Sequence, residues 1–251
     1  MHDNHGSVLY PCQLEVCANS LESALAAQEG GAHRVELCQQ LEVGGLTPSA
    51  GQIRLARQLL HIGVHVLIRP RAGGFHYTDL EFEVIKADVG YCKAVGCDGV
   101  VVGILLANGR VDEARMELLV KLASPMQVTF HRAFDMCSDP QAALEAVIRC
   151  GCHRLLTSGM QPTALQGAAL IEELVIQANG RVDIMPGSGI DETNVVEIAS
   201  LTGAQDFHTS ARVPLTDEAE SRVMGGEMGN RGWISSQQKI RHIADLLRTI
   251  Q

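Results

Sequence analysis

The sequence has no cluster of basic residues. Lys and Arg together number 20 against 29 Asp and Glu, for a net charge of −9. Nucleic acid and anionic membranes need a positive footprint, so neither is expected as a partner. Long hydrophobic runs are also missing: the longest, Val100 to Ala107, falls far short of a membrane span. The opening residues Met1 to Ser7 are polar, which predicts no secretory signal. None of the eight cysteines stands in C-x-x-C spacing. A disulfide framework is therefore not expected, and free, mostly buried thiols in a reducing cytosol are. No G-x-G-x-x-G follows the first strand, which disfavours the alternative of an open doubly wound sheet. No linker or low-complexity stretch divides the 251 residues.

What is present is a repeat. Gly31-Ala32-His33-Arg34 leads into Val35-Glu36-Leu37, and Gly63-Val64-His65 into Val66-Leu67-Ile68. Gly96-Cys97-Asp98-Gly99, Gly151-Cys152-His153-Arg154 and Gly203-Ala204-Gln205-Asp206 lead into further short strands. Each follows an amphipathic stretch, and glycine stops a helix by taking the left-handed conformation. With strands near 13–17, 126–131 and 182–186, eight strands recur about 28 residues apart, the length of one βα unit. The fold class expected is α/β, a (β/α)8 TIM barrel, as one domain over 1–251. A polar leader covers about 1–10, and a final helix about 236–250.

Alternation along the strands sorts the two faces. Leu14 and Val16 oppose Glu15 and Cys17; Val35 and Leu37 oppose Glu36 and Cys38; Val128 and Phe130 oppose Thr129 and His131; Phe207 and Thr209 oppose Asp206, His208 and Ser210. The apolar parity belongs against the helices, which turns Glu15, Glu36, Thr129, His131 and His208 inward. Arg69 follows Leu67 at the third strand and joins them. Buried charges need partners, so Arg69 is expected between the two glutamates, with His131 completing the network. Barrel enzymes place their chemistry at this C-terminal rim. Glu15, Glu36, Arg69, His131 and Asp135 are thus candidate catalytic residues. Histidine suits proton transfer near neutrality, and either glutamate, raised by its twin, would be the partner acid or base. The alternative is a satisfied ion cluster that only fixes the barrel.

Met185-Pro186-Gly187-Ser188-Gly189-Ile190-Asp191 and His208-Thr209-Ser210-Ala211-Arg212 follow the seventh and eighth strands. Barrels often hold phosphate there on free N–H groups. Gly187, Gly189, Ser210, Arg212 and, from the loop Arg69 to Phe75, Arg71 are the candidates for an anionic ligand, phosphorylated or not; a tight turn and a solvated loop are the alternatives. Glu15-Val16-Cys17 and Glu36-Leu37-Cys38 repeat one pattern on neighbouring strands, about 4.8 Å apart. Two soft thiolates at Cys17 and Cys38 suit Cu(I); tetrahedral Zn²⁺ would need further ligands, and two reduced cysteines filling space is the third reading.

Several of these segments carry a resemblance. Glu15-Val16-Cys17, Arg34-Val35-Glu36-Leu37-Cys38, Gly44-Gly45-Leu46-Thr47-Pro48-Ser49, Ile68-Arg69-Pro70-Arg71 and Thr129-Phe130-His131-Arg132-Ala133-Phe134-Asp135 closely resemble the CutC copper-homeostasis family. Leu156-Thr157-Ser158-Gly159, Met185-Pro186-Gly187-Ser188-Gly189-Ile190 and Phe207-His208-Thr209-Ser210-Ala211-Arg212 continue the match, which runs from about Leu14 onward. Many members have three glycines where this chain has Gly187-Ser188-Gly189. The resemblance implies a cytosolic TIM barrel that self-associates, as a dimer or tetramer, and handles copper. It matches the family's proposed Cu(I) ligands to Cys17 and Cys38. A nuclear pool in a eukaryotic cell stays open. Two functions are carried forward: a Cu(I)-binding homeostasis protein, and an enzyme using general acid–base chemistry on a small anionic substrate.

Overall fold

The alternation of strand and helix read from the sequence is what folds. A computed structural model describes residues 12–214 and 232–250. The strands are β1 Gln13–Ala18, β2 Arg34–Leu37, β3 Gly63–Leu67, β4 Gly99–Val102, β5 Gln127–Phe130, β6 Arg154–Thr157, β7 Asp183–Pro186 and β8 Asp206–Thr209. They pair in parallel in the order β7-β6-β5-β4-β3-β2-β1-β8, and β7 packs beside β8 to bring the barrel nearly to closure. The helices are α1 Leu21–Glu29, α2 Ala50–Leu59, α3 Asp79–Val95, α4 Glu113–Ala123, α5 Pro140–Arg149, α6 Ala168–Ala178, α7 Val195–Thr202 and α8 Gln237–Arg248. The expected polar leader lies outside the described residues.

Helix ends are set by short-range chemistry. Ser20, Ser49, Asp112, Asp139 and Ser236 each accept a first-turn N–H, which satisfies donors that have no partner within the helix. Thr78 and Glu81 form a reciprocal capping box at α3. Gly96, at φ 82°, ends that helix in the left-handed region and turns the chain into β4.

The strand faces divide as their parity requires. Leu14, Val16, Val35, Leu37, Val64, Val66, Val100, Val102, Val128, Phe130 and Phe207 are fully buried in the main core. Each such side chain contributes about 1.5–3 kcal/mol by leaving water. Inside the barrel a separate small apolar cluster joins Cys17, Cys38, Leu67 and Val101.

The Gly-x-His-Arg junctions have a purpose beyond stopping helices. The Leu14 N–H donates to His33 Nδ1 at 3.0 Å, and the Val128 N–H donates to His153 Nδ1 at 3.1 Å. Asp98 accepts from the Val64 N–H at 2.8 Å in the same manner. In these three cases the residue immediately before a strand closes an N–H at the start of the preceding one. Past β8, an antiparallel ribbon pairs β9 Arg212–Pro214 with β10 Trp233–Ser235, an element the sequence reading did not contain.

Candidate functional site

The polar interior has two levels, fixed by strand register. Glu15 pairs with Arg34 across β1 and β2, and with His208 across β1 and β8. At the lower level, Arg34 Nε donates to Glu15 Oε2 at 2.6 Å and its terminal nitrogen to Asp206 Oδ1 at 2.5 Å. Arg154 Nε donates to Asp206 Oδ2 at 2.5 Å, and all four side chains are buried. This overturns one expectation: the cation beside Glu15 is Arg34, not Arg69. A cavity of about 1110 Å³ opens below the network at the N-terminal mouth.

At the upper level the two thiols meet. Cys17 Sγ and Cys38 Sγ lie 3.5 Å apart, both buried. One ligand atom each from Cys17, Glu36 and His208 lies within 4.8 Å of the others, a group compact enough to hold a metal ion. His208 Nδ1 is 2.8 Å from Glu15 Oε1, and its Nε2 is 3.7 Å from Glu36 Oε2. Glu15 therefore links the levels, one oxygen on Arg34 and the other on His208.

Charges follow from that wiring. Burial works against the Glu15 carboxylate, yet Arg34 and then His208 hold it well below the usual range. Burial also opposes the His208 imidazolium, but Cys17, Glu15 and Glu36 hold it well above its ordinary value. Burial raises Glu36; His208 pulls it back and Glu15 adds to the rise. The hydrogen bond with Cys38, followed by burial, keeps the Cys17 thiol well above the usual range.

Several other sequence candidates occupy different places. His131 does not complete the glutamate network. The Ala133 N–H donates to its Nδ1 at 3.1 Å, which puts the ring proton on Nε2. That Nε2 has no partner among the described residues, and burial pushes the imidazole down to about 3. Arg69 sits two residues beyond the end of β3, where its terminal nitrogens donate to the carbonyls of Val43, Gly45 and Gly73.

Asp135 is fully committed. It accepts from Thr157 Oγ1 at 2.5 Å, from the Ser158 and Met160 N–H groups, from Ser158 Oγ and from Arg132. It braces the loops after β5 and β6 and has no spare lone pair for proton transfer. Arg71 turns outward to Glu81 and to the carbonyls of Ala72, Gly74 and His76. The upper cavity, about 320 Å³, is lined by the thiols, Glu36, Arg69, His131, His208, Ser188, Gly189, Ser210 and Arg212. Gly187 stands behind that lining, where an added Cβ would meet Leu156 Cδ1 at 2.5 Å.

Arg34, Arg154, Asp206 and His208 are functional residues that the sequence reading does not single out as candidates. His208 and Asp206 were already on the inward parity of β8. The two arginines carried a signal in their shared Gly-x-His-Arg context.

An eight-stranded α/β barrel with a polar interior and a thiol–imidazole–carboxylate group at its C-terminal rim is the class that this architecture defines. The sequence profile of the CutC family matches residues 12–213. The chain belongs to the CutC family. A family protein CutC of Chromobacterium violaceum is 50% identical over 219 residues, covering 87% of this chain and 89% of its own. One from Xylella fastidiosa strain Temecula1 is 54% identical over 199 residues, covering 79% and 74%. Among solved structures, the CutC protein of Streptococcus agalactiae, named for copper homeostasis, superposes with a TM-score of 0.76 at 34% identity, covering 79% of this chain and 98% of that one. Phosphoribosylanthranilate isomerase from Thermotoga maritima shares only the barrel, with a TM-score of 0.56, 13% identity and coverage of 95% and 100%. No helix among the described residues is long and apolar enough to cross a membrane.

Proposed function

We propose that the protein binds Cu(I) at the barrel rim through the thiolates of Cys17 and Cys38, with His208 Nε2 as a third ligand, and serves copper homeostasis. The observation that carries this reading is the pair of buried sulfurs 3.5 Å apart beside an imidazole whose other nitrogen is held by a carboxylate. Soft thiolates select Cu(I) over hard cations. At metal–sulfur bonds of about 2.3 Å, an in-line pair would hold its sulfurs about 4.6 Å apart. The observed spacing favours a bent pair that admits one more ligand. Metal-binding histidines almost always give their second N–H to a carboxylate or carbonyl, which is the role of Glu15 here. Eight free cysteines fit a reducing compartment, the cytosol. An even-numbered homo-oligomer, dimer or tetramer, is the assembly this reading carries.

The test is anaerobic competition of the reduced protein against a strong Cu(I) chelator. One ion per chain is expected. The Cys17→Ser, Cys38→Ser double variant should lose more than the roughly 10–100-fold that removal of an outer-shell partner costs. Because the ligating thiols must shed protons, apparent affinity should rise with pH. Affinity indifferent to both substitutions would overturn the copper site.

A further inference from the structure

We propose that the rim cavity also binds a small phosphate monoester whose other end carries a carboxylate or carbonyl oxygen. The inference rests on the walls of the cavity and not on the copper reading. Two buried donors on one wall have no partner among the described residues: His131 Nε2, on a residue 5% exposed, and Arg69 Nε, on one 6% exposed. Both residues line the 320 Å³ cavity. Native structures seldom leave such donors unpaired, because their lost hydration is not returned. Since His131 Nδ1 is already occupied by the Ala133 N–H, Nε2 can only donate. A cation cannot satisfy it; an acceptor oxygen can.

A second wall calls for an anion. Ser188 and Gly189 both take the left-handed region, at φ 83° and 70°. Their N–H groups donate to nothing among the described residues. Consecutive amides in such a turn form an anion-binding concavity. Ser210, just past the end of β8, borders the same space, and Arg212 adds positive charge beside it, whereas the charge of Arg132 is paired with Asp135. The Glu36 carboxylate is the opposing charge, and His208 stands beside it. A cavity of this volume suits a small molecule. One ligand with a phosphate on the amide wall and an oxygen at His131 and Arg69 answers both walls at once.

Isothermal titration with two probes, inorganic phosphate and 2-phosphoglycolate, tests this. Phosphoglycolate is expected to bind at least about tenfold tighter, the ratio that one charge-assisted hydrogen bond supplies. Ser210→Asp places a like charge on the amide wall and should abolish both. Ser210 is a half-exposed loop residue, so the variant should fold, and an unchanged urea midpoint would confirm that. His131→Phe keeps the ring and removes the donor; it should erase the preference while phosphate still binds. Binding of neither probe, equal binding of both, or binding that survives Ser210→Asp would each overturn the proposal. The copper reading is untouched by these outcomes, and phosphoglycolate should still bind the Cys17→Ser, Cys38→Ser variant.

Discussion

Replacing Asp206 with alanine should destabilise the barrel by about 3–5 kcal/mol, the cost of leaving buried charge without its partner. Asp206 uses one oxygen for Arg34 and the other for Arg154, each at 2.5 Å, with all three side chains buried. Arg34 would keep Glu15. Among the described residues, Arg154 would keep only Gln127 Oε1 and Thr129 Oγ1 at 3.3–3.4 Å, and the exposed Asp183 at 4.0 Å. Neither neutral contact replaces a charge-assisted bond. A triple variant, Arg34→Met, Arg154→Met, Asp206→Leu, removes these three charges together; it should lose less than Asp206→Ala, though Glu15 then keeps only His208 and, at 3.9 Å, His65 among the described residues. Urea denaturation reads both, as a shift in midpoint at constant slope. A loss below about 1 kcal/mol for Asp206→Ala would mean that water enters from the N-terminal mouth and solvates the arginines.

That network also marks where the sequence was legible and where it was not. Parity placed Glu15, Glu36, Thr129, His131 and His208 inside, and each of them is there, because alternation is a local property of a strand. Height along the barrel axis is not local. It depends on register: Glu15 lies opposite Arg34 on one side and His208 on the other. Arg69 shares the inward parity but lies beyond the end of its strand, above the level of Glu15. Its guanidinium closes the carbonyls of Val43, Gly45 and Gly73. The Cys17–Cys38 pairing was legible for the opposite reason. The two E-x-C segments sit on consecutive strands, so the adjacency needs little register information. Charge in loops was the least readable feature. Asp135 reads from sequence as a candidate catalytic residue and Arg71 as an anion-binding one, yet neighbouring backbone groups, Glu81 and loop side chains consume them. A sequence shows a charge but not the turn that uses it.

The second large effect concerns acid. Between pH 6.5 and pH 4 the folded barrel should lose about 3 kcal/mol for each of two buried histidines. Burial pushes His65 down to about 4 and His131 down to about 3, so the folded chain keeps both largely neutral, His65 reaching half-protonation only at the end of the window, while the unfolded chain protonates near 6.5. The unfolded state then binds more protons, and stability falls as pH falls, by about 1.4 kcal/mol per pH unit for each histidine. His33, lowered by burial, acts in the same direction. Glu36 runs the other way: its raised value lets the folded state bind a proton first and offsets part of the loss. The Glu15–His208 pair contributes little in this window. His208, held high, loses its contribution only on the alkaline side, and Glu15, held low, loses its own only below about pH 4.5. Against a typical domain stability of 5–15 kcal/mol, a loss of this size brings unfolding within reach by pH 4. Denaturation midpoints measured across the window should show the slope, and His131→Phe should shallow it by one proton's worth. An unchanged slope in that variant would mean that His131 protonates in the folded barrel. Its Nε2 would then not be the isolated, neutral donor on which the oxygen-bearing end of the proposed ligand depends.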